Sequence, residues 1–239
     1  RRSRAGLLLI VPANVAIIVP AAPGDIAWRV LLAQLQGANA KEICLVLAEG
    51  DETPVDMHAS AFKVLHAPVG RPRQLNAGVA ASTADWLWFL HADSVLTPAT
   101  LAAMHEFVGW DEDAIGYFQL RFLDDGPRWI LLNAWGAALR SRLLGLPFGD
   151  QGLLMPRRVL HALGGFDEGI DRGEDHALVW TAHARRIPVR ALGASLRTSA
   201  RRYAEQGWWR TTWQHLCLTR TQAAEFSRQA RARAAIERA

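Results

Sequence analysis

Lysine is almost missing from this 239-residue chain. Only Lys41 and Lys63 are present, and the remaining 25 of its 27 basic residues are arginines. Cysteine is equally scarce. Cys44 and Cys217 alone cannot build a disulfide framework or a multi-cysteine zinc site, which fits a reducing compartment. Acidic residues nearly vanish from the last quarter. Residues 181–239 hold 12 basic and 3 acidic side chains, whereas residues 1–180 hold 15 and 20. No uninterrupted apolar run is long enough to span a bilayer. The longest uncharged stretch, Ala5 to Gly24, is broken by Pro12, Asn14, Pro20 and Pro23. Half of the residues are hydrophobic and 21% are charged, so the chain has the makings of a packed core and general disorder is excluded.

What remains is an alternation. Val15–Val19, Glu42–Leu47, Lys63–His66 and Trp86–Leu90 read as strands, with a helical segment expected after each. The helices are Asp25–Gln36, with Ile26, Val30 and Leu31 on one face, a short one ending at Ala59–Phe62, then Pro72–Ala81 and Pro98–Val108. Strands that alternate with helices imply a parallel sheet with right-handed crossovers, and unbroken apolar runs imply strands covered on both faces. The second half predicts strands at Ala114–Phe122, Gly152–Met155 and Val189–Leu192. It predicts helices at Arg128–Leu144, Arg157–Leu163 and Glu174–Arg185, and one or two long basic helices over Trp208–Arg238. Arg1, Arg2 and Arg4 before Leu7–Val11 are a faint targeting pattern, and a buried strand at Val15–Val19 is the favoured reading. The organisation read from this is an N-terminal remnant or extension over residues 1–14, one catalytic domain over 15–205, and a C-terminal helical tail over 206–239.

In open parallel sheets, ligands bind beyond the carboxyl ends of the strands. His91-Ala92-Asp93-Ser94 follows the Trp86–Leu90 strand, where an Asp suits a divalent cation bridging phosphates, or simply caps a turn. Gly173-Glu174-Asp175-His176 opens a helix whose N-terminus favours acids. Adjacent residues point about 100° apart, so only one of the two carboxylates can face a site well. Gly149-Asp150-Gln151-Gly152 is either a tight turn or a loop that lets backbone approach a ligand. Arg71 and Arg73 begin a helix that also carries Asn76, and helix starts attract phosphate. A solvated basic turn explains them equally well. Arg201 and Arg202, beside Thr198 and Ser199, could clamp a diphosphate.

In order along the chain, Asn76-Ala77-Gly78, His91-Ala92-Asp93-Ser94, Asp150-Gln151-Gly152, Gly164-Gly165-Phe166, Gly173-Glu174-Asp175 and Arg201-Arg202-Tyr203 resemble a family-2 glycosyltransferase of the GT-A fold. The set is most similar to a small bacterial branch often encoded near radical-SAM and selenium-related genes. The resemblance covers roughly residues 15–222. It implies a three-layer α/β/α domain with a mostly parallel sheet and a basic helical tail. It also implies transfer of a sugar from a nucleotide-diphospho-sugar to an acceptor hydroxyl, mostly with inversion. Asp93 would hold Mg²⁺ or Mn²⁺ on the donor diphosphate, and His91, in the first position of the family's metal-binding motif, would lie at the donor beside it. Asp175 would be the general base with Glu174 beside it, and Asp150 and Gln151 would lie on the acceptor side. Arg71, Arg73, Asn76, Arg201 and Arg202 would meet the donor. The chain departs from the family after its first two strands, where Pro20-Ala21-Ala22-Pro23-Gly24-Asp25 and Leu47-Ala48-Glu49-Gly50-Asp51-Glu52 replace the usual Asn-Glu pair and Asp-Gly-x-Ser-x-Asp. Glu49 or Asp51 is then expected to meet the base or ribose.

Two other readings stand beside this one. A degenerate GT-A protein would bind a ligand without turnover. A nucleotidyltransferase is disfavoured, because residues 20–25 offer Gly24 and no Gly-rich basic loop. Nucleic acid is not expected as a partner, since no recognised module accompanies the basic tail. The expected location is cytoplasmic. The apolar stripe of Trp129, Ile130, Leu131, Trp135, Leu139, Leu143 and Leu144 is expected to pack into the core. The sharper alternative is peripheral docking at the inner face of a membrane to reach a lipid-linked acceptor.

Overall fold

The computed structural model describes residues 12, 14–36, 40–53, 62–127, 129–201, 203 and 208–236. Among the described residues seven strands form one sheet: β1 (Val15–Pro20), β2 (Glu42–Ala48), β3 (Lys63–Ala67), β4 (Trp86–Phe89), β5 (Ile115–Phe122), β6 (Leu154–Pro156) and β7 (Val189–Thr198). Their spatial order is β3-β2-β1-β4-β6-β5-β7. Only β6 runs antiparallel to its neighbours. Among the described residues seven α-helices accompany them: α1 (Trp28–Leu35), α2 (Arg71–Ala80), α3 (Pro98–Trp110), α4 (Ile130–Leu144), α5 (Arg157–Leu163), α6 (Glu174–Ala184) and α7 (Trp208–Ile236).

Side-chain alternation along each strand feeds two separate cores. Ile17, Leu45 and Trp88 point to one face and meet Leu31 and Leu35 of α1 and Met104 and Phe107 of α3. Ile18, Val46 and Phe89 point to the other and meet Leu75 of α2, Leu160 of α5 and Leu178 of α6. Both faces of the central strands are covered, which is why their sequences are continuously apolar. The architecture is the expected three-layer α/β/α with a mostly parallel sheet. Lengths differ at the margins. The strand expected at Gly152–Met155 forms at Leu154–Pro156, and the one expected to end at Leu192 continues to Thr198. The extra residues of β7 alternate, with Ala194 and Leu196 buried and Gly193 and Arg197 exposed, as an edge strand does. Residues 59–61 of the expected short helix lie outside the described residues.

Two expectations about helix faces are corrected. α1 starts at Trp28 rather than Asp25, because the Asp25 carboxylate accepts the Ala27 N–H (2.8 Å) in a turn. Trp28, Leu31, Leu32 and Leu35, spaced i, i+3, i+4, i+7, are buried, and Ile26 and Val30 face solvent. In α4 the core-packing expectation fails. The buried residues are Ile130, Ala137 and Ser141, whereas Leu131 is 72% and Trp135 67% exposed, and Leu143 and Leu144 are also on the surface. The small side chains go inward because α4 packs close to β5, where Tyr117 Oη donates to the Ser141 carbonyl (3.0 Å).

Helix α2 lies tightly on the sheet through Gly78. A Cβ there would stand 2.6 Å from Ile18 Cγ2 and 3.2 Å from Val46 Cγ2. Ala is the better helix former by about 1 kcal/mol, but overpacking a full core costs about 1–3 kcal/mol. We therefore expect Gly78→Ala to lower the urea midpoint at unchanged m-value. An unchanged or higher midpoint would show that this layer yields.

Candidate active site

Every functional segment comes off the same edge of the sheet. The parallel strands β1, β4, β5 and β7 end there, and the antiparallel β6 begins there. Their ends frame an open cleft of about 710 Å³. It lies where the strand order turns from β1-β2-β3 to β1-β4, the switch point at which open sheets bind ligands. Pro20 ends β1 and Ala22 follows it, His91 and Asp93 follow β4, Phe122 ends β5, Asp150 precedes β6, and Thr198 ends β7 with Ser199 after it; all line the cleft. Asp175 and His176 enter from the start of α6, Arg71 from the start of α2, and Thr219 and Gln222 from α7.

The two adjacent acids of α6 divide as helical geometry requires. Asp175 lines the cleft, and its carboxylate accepts the backbone N–H groups of Gly149 and of His176 (2.7 Å). Glu174 turns away and is 3% exposed. It is ion-paired with Arg71, whose guanidinium also stands 3.6 Å from Asp175. Burial pushes the Glu174 carboxyl above the ordinary value, and Arg71 opposes that shift. Glu174 therefore positions Arg71 and does not reach the cleft, which corrects its expected place there. Two glycines make the arrangement possible. A Cβ on Gly149 would stand 2.6 Å from Asp175 Oδ2 and 2.7 Å from an Arg71 nitrogen. Gly173, which caps α6 with φ +88°, sits against Gln222 of α7, and Gln222 Nε2 donates to the Arg172 carbonyl (2.6 Å).

Asp150 has the most unusual environment of the group. Its Oδ1 is shielded from solvent and has no hydrogen-bond partner among the described residues. Burial pushes its carboxyl up to about 6. Arg140 opposes the rise, and Asp175 reinforces it. Arg140 was not anticipated as a site residue. It lies flat over the Phe148 ring at 3.6 Å and donates from Nε to the Leu146 carbonyl (2.9 Å), so it is a fixed, half-buried cation behind Asp150. Nothing in the sequence separates it from its exposed neighbour Arg142, because the difference lies in which way α4 turns.

Asp93 is half-buried. Among the described residues it takes one hydrogen bond, from the Ser199 N–H at 3.3 Å. The Ser199 segment is itself held by Asp125, whose carboxylate accepts the Ser199 hydroxyl (2.6 Å) and the Ala200 N–H (2.7 Å). Asp125 is a second residue that sequence reasoning missed. Arg201 lines the cleft with Nε donating to Ser199 Oγ (3.1 Å); Arg202 lies outside the described residues. Burial holds the His176 imidazole below its ordinary value. Among the described residues no three His, Cys, Asp or Glu side chains converge into a ready metal cage. A single exposed carboxylate edge such as that of Asp93 still suits an ion that takes most of its ligands from phosphate and water.

Several expected donor residues are elsewhere. Asn76 is a staple between α2 and the 164–168 turn: Nδ2 donates to the Phe166 carbonyl (2.8 Å) and Oδ1 accepts the Phe166 N–H (3.1 Å). Arg73 is exposed and reaches the Val69 carbonyl (3.4 Å). Glu49 is exposed and off the cleft, and the Asp51 carboxylate accepts the Gly24 N–H (3.3 Å). Gln151 is wholly buried. It donates to the Phe118 carbonyl (3.0 Å) and accepts from Ser141 Oγ (2.8 Å), so it holds the turn and is not part of the cleft lining. Gln74, not singled out in the sequence, fixes the cleft floor by donating to the Ala21 (2.7 Å) and Val46 (3.0 Å) carbonyls.

This constellation at a switch point, on a 3-2-1-4-6-5-7 sheet, defines a nucleotide-diphospho-sugar transferase fold of the GT-A type. The comparisons give the family. The model for Glycosyl transferase family 2 matches residues 28–162, more than half of the chain, and the chain belongs to that family. No curated protein matches it in sequence. Among solved structures, the 1–349 segment of S. aureus TarS in complex with UDP is similar with a TM-score of 0.59 at 14% identity, over 78% of this chain and 60% of that one. The same segment in complex with UDP-GlcNAc gives 0.57 at 14%, over 78% and 58%. Glucosyl-3-phosphoglycerate synthase from Mycobacterium tuberculosis, in complex with Mn²⁺, UDP-glucose and phosphoglyceric acid, gives 0.56 at 16%, over 78% and 72%. The chain thus spans about 60% of the length of the TarS segment it matches. At these identities the likeness establishes the fold.

The raised Asp150 pKa has a sign. The native chain holds a proton between about 4 and about 6 that the unfolded chain has lost. Stability therefore declines as pH rises through that window. Asp150→Asn should remove this slope, and its stability advantage should grow from pH 4 to pH 6 to on the order of 2 kcal/mol. Chemical denaturation at several pH values measures it. Parallel stability curves for the two proteins would contradict the buried-carboxylate account.

Proposed function

We propose that the protein is a glycosyltransferase that moves a sugar from a nucleotide-diphospho-sugar to an acceptor hydroxyl, with inversion at the anomeric carbon. The observation that carries this reading is that Asp93 and Asp175 both line one cleft at the sheet's switch point. The donor nucleotide enters beside Pro20 and Ala22, and its diphosphate lies toward Asp93 and Arg201. The solved relatives hold UDP or UDP-sugars, one of them with Mn²⁺, so a UDP-sugar is the first donor to test.

Asp93, flanked by His91, would hold the divalent ion, Mg²⁺ or Mn²⁺. When bound, such an ion neutralises charge developing on the leaving diphosphate. Arg201, which also lines the cleft, adds a cation at the point where the leaving group gains charge. Asp175 takes the proton from the attacking hydroxyl. Its two backbone donors, Gly149 and His176, and the nearby Arg71 hold the carboxylate in one orientation, as a general base requires. A single base acting on the face opposite the leaving group produces inversion. Asp150, which lines the cleft with Arg140 as its cationic neighbour, would shape the acceptor side. The similarity to the radical-SAM-associated bacterial branch belongs to the same proposal.

Asp93→Ala should weaken UDP binding in Mn²⁺ at least about tenfold while the melting temperature stays unchanged. Asp175→Asn should keep that binding and lower turnover of the UDP-sugar by about 10²–10⁴-fold. Calorimetry and release of free UDP read the two effects. Unchanged affinity in the first variant, or retained turnover in the second, refutes the corresponding assignment.

A further inference from the structure

The outer faces of α4 and α7 are apolar where the helices meet solvent, and hydrogen bonds and a ring contact join the two helices. Between them, Trp208 Nε1 donates to Asn133 Oδ1 (2.8 Å), and Asn133 Nδ2 donates to Thr212 Oγ1 (3.0 Å). The Trp129 and Trp208 rings also lie 6.4 Å apart. On the outside, Leu131, Trp135 and Leu139 form an i, i+4, i+8 stripe along α4. Trp209 and Trp213, 80% and 68% exposed, form an i, i+4 pair on α7. Each helix thus presents its own stripe of large apolar residues to solvent, and the two helices are tied to each other through Asn133, Trp208 and Thr212. Monomeric soluble proteins seldom expose such a patch without a partner.

The charges around this surface select the partner. Exposed Arg142 and Arg210 lie beside it, and Arg220 follows on α7. Neither residues 130–144 nor residues 208–224 contain a single Asp or Glu. A second copy packed face to face would bring arginines against arginines with no acid to pair them. An anionic bilayer surface satisfies both features. Tryptophans and leucines enter the headgroup boundary, and arginines meet the lipid phosphates. Among the described residues no helix is long and apolar enough to cross a membrane, so contact would be lateral. Both helices also reach the cleft by other sides: Arg140 of α4 stacks on Phe148 of its lining, and Thr219 and Gln222 of α7 line it directly.

The geometry points to the exposed stripes of α4 and α7 as a docking surface for an anionic membrane. Docking does not depend on the transferase reading, and the two fail separately. The test is sedimentation of the full chain with vesicles of phosphatidylcholine alone and of phosphatidylcholine mixed with phosphatidylglycerol, at low and high salt. Light scattering and UDP binding are measured in parallel. The wild-type protein should sediment with the anionic vesicles and be released by salt. Trp135→Ser with Leu139→Ser, and separately Trp209→Ser with Trp213→Ser, should lower partitioning at least about tenfold. Melting temperature and UDP affinity should stay unchanged in both. Wild-type protein that stays in the supernatant at low salt overturns the proposal, as do variants that sediment like the wild type. A wild-type dimer that the same substitutions convert to monomer, with no vesicle binding, would assign the face to a second copy instead. Loss of UDP binding with docking intact would remove the donor site and leave the membrane surface standing.

Discussion

The cleft depends on how one arginine handles two neighbouring acids. Arg71, at the start of α2, takes Glu174 as its ion-pair partner and reaches Asp175 at 3.6 Å, so the beginning of α2 is tied to the beginning of α6. The Gly149 N–H completes the tie from the turn before β6. Three segments far apart in sequence are thereby held around a single carboxylate. Removing one partner of such a buried pair leaves an uncompensated charge, so the arrangement tolerates little change. It also explains the glycines. Position 149 has no room for a Cβ, because the side chain would fill the space taken by the Asp175 oxygen and the guanidinium.

Much of the fold was legible because burial leaves a plain signature. Val15–Val19, Glu42–Leu47 and Trp86–Leu90 are continuously apolar since both sheet faces are covered, and each became a strand. The site's outline was legible for a different reason. Asp93, Asp175 and Arg201 sit at the ends of strands and the starts of helices, where parallel sheets place their ligands. Residue-level roles were harder to read. Asn76 and Gln151 look like ligand contacts in one dimension, yet each satisfies backbone groups that would otherwise be buried without partners. Arg140, Asp125 and Gln74 act through contacts formed only on folding, and their types and spacing carry no trace of it.

The α4 stripe carries the sharpest lesson. Its periodicity correctly marks a helix with an apolar side. Periodicity cannot say whether that side meets the protein or something outside it. The answer came from the opposite side, where Ala137 and Ser141 allow close approach to β5 and leave no room for a leucine. A helix can thus present its large apolar residues outward without losing its place in the fold. The tail helix does the same while contributing Thr219 and Gln222 to the cleft wall. The basic tail therefore contributes to both the cleft wall and the outer surface.

The account stands or falls on the cleft being a metal-assisted nucleotide-diphosphate site. Calorimetric titration of the unsubstituted chain with a panel of nucleoside diphosphates, with and without Mn²⁺, tests it most directly. A ligand that binds the native state must also raise its thermal stability, which provides an internal check. The account predicts that one nucleotide, UDP before the others, binds in Mn²⁺ and much more weakly without it. Failure of every nucleotide to bind in the presence of Mn²⁺ would contradict it.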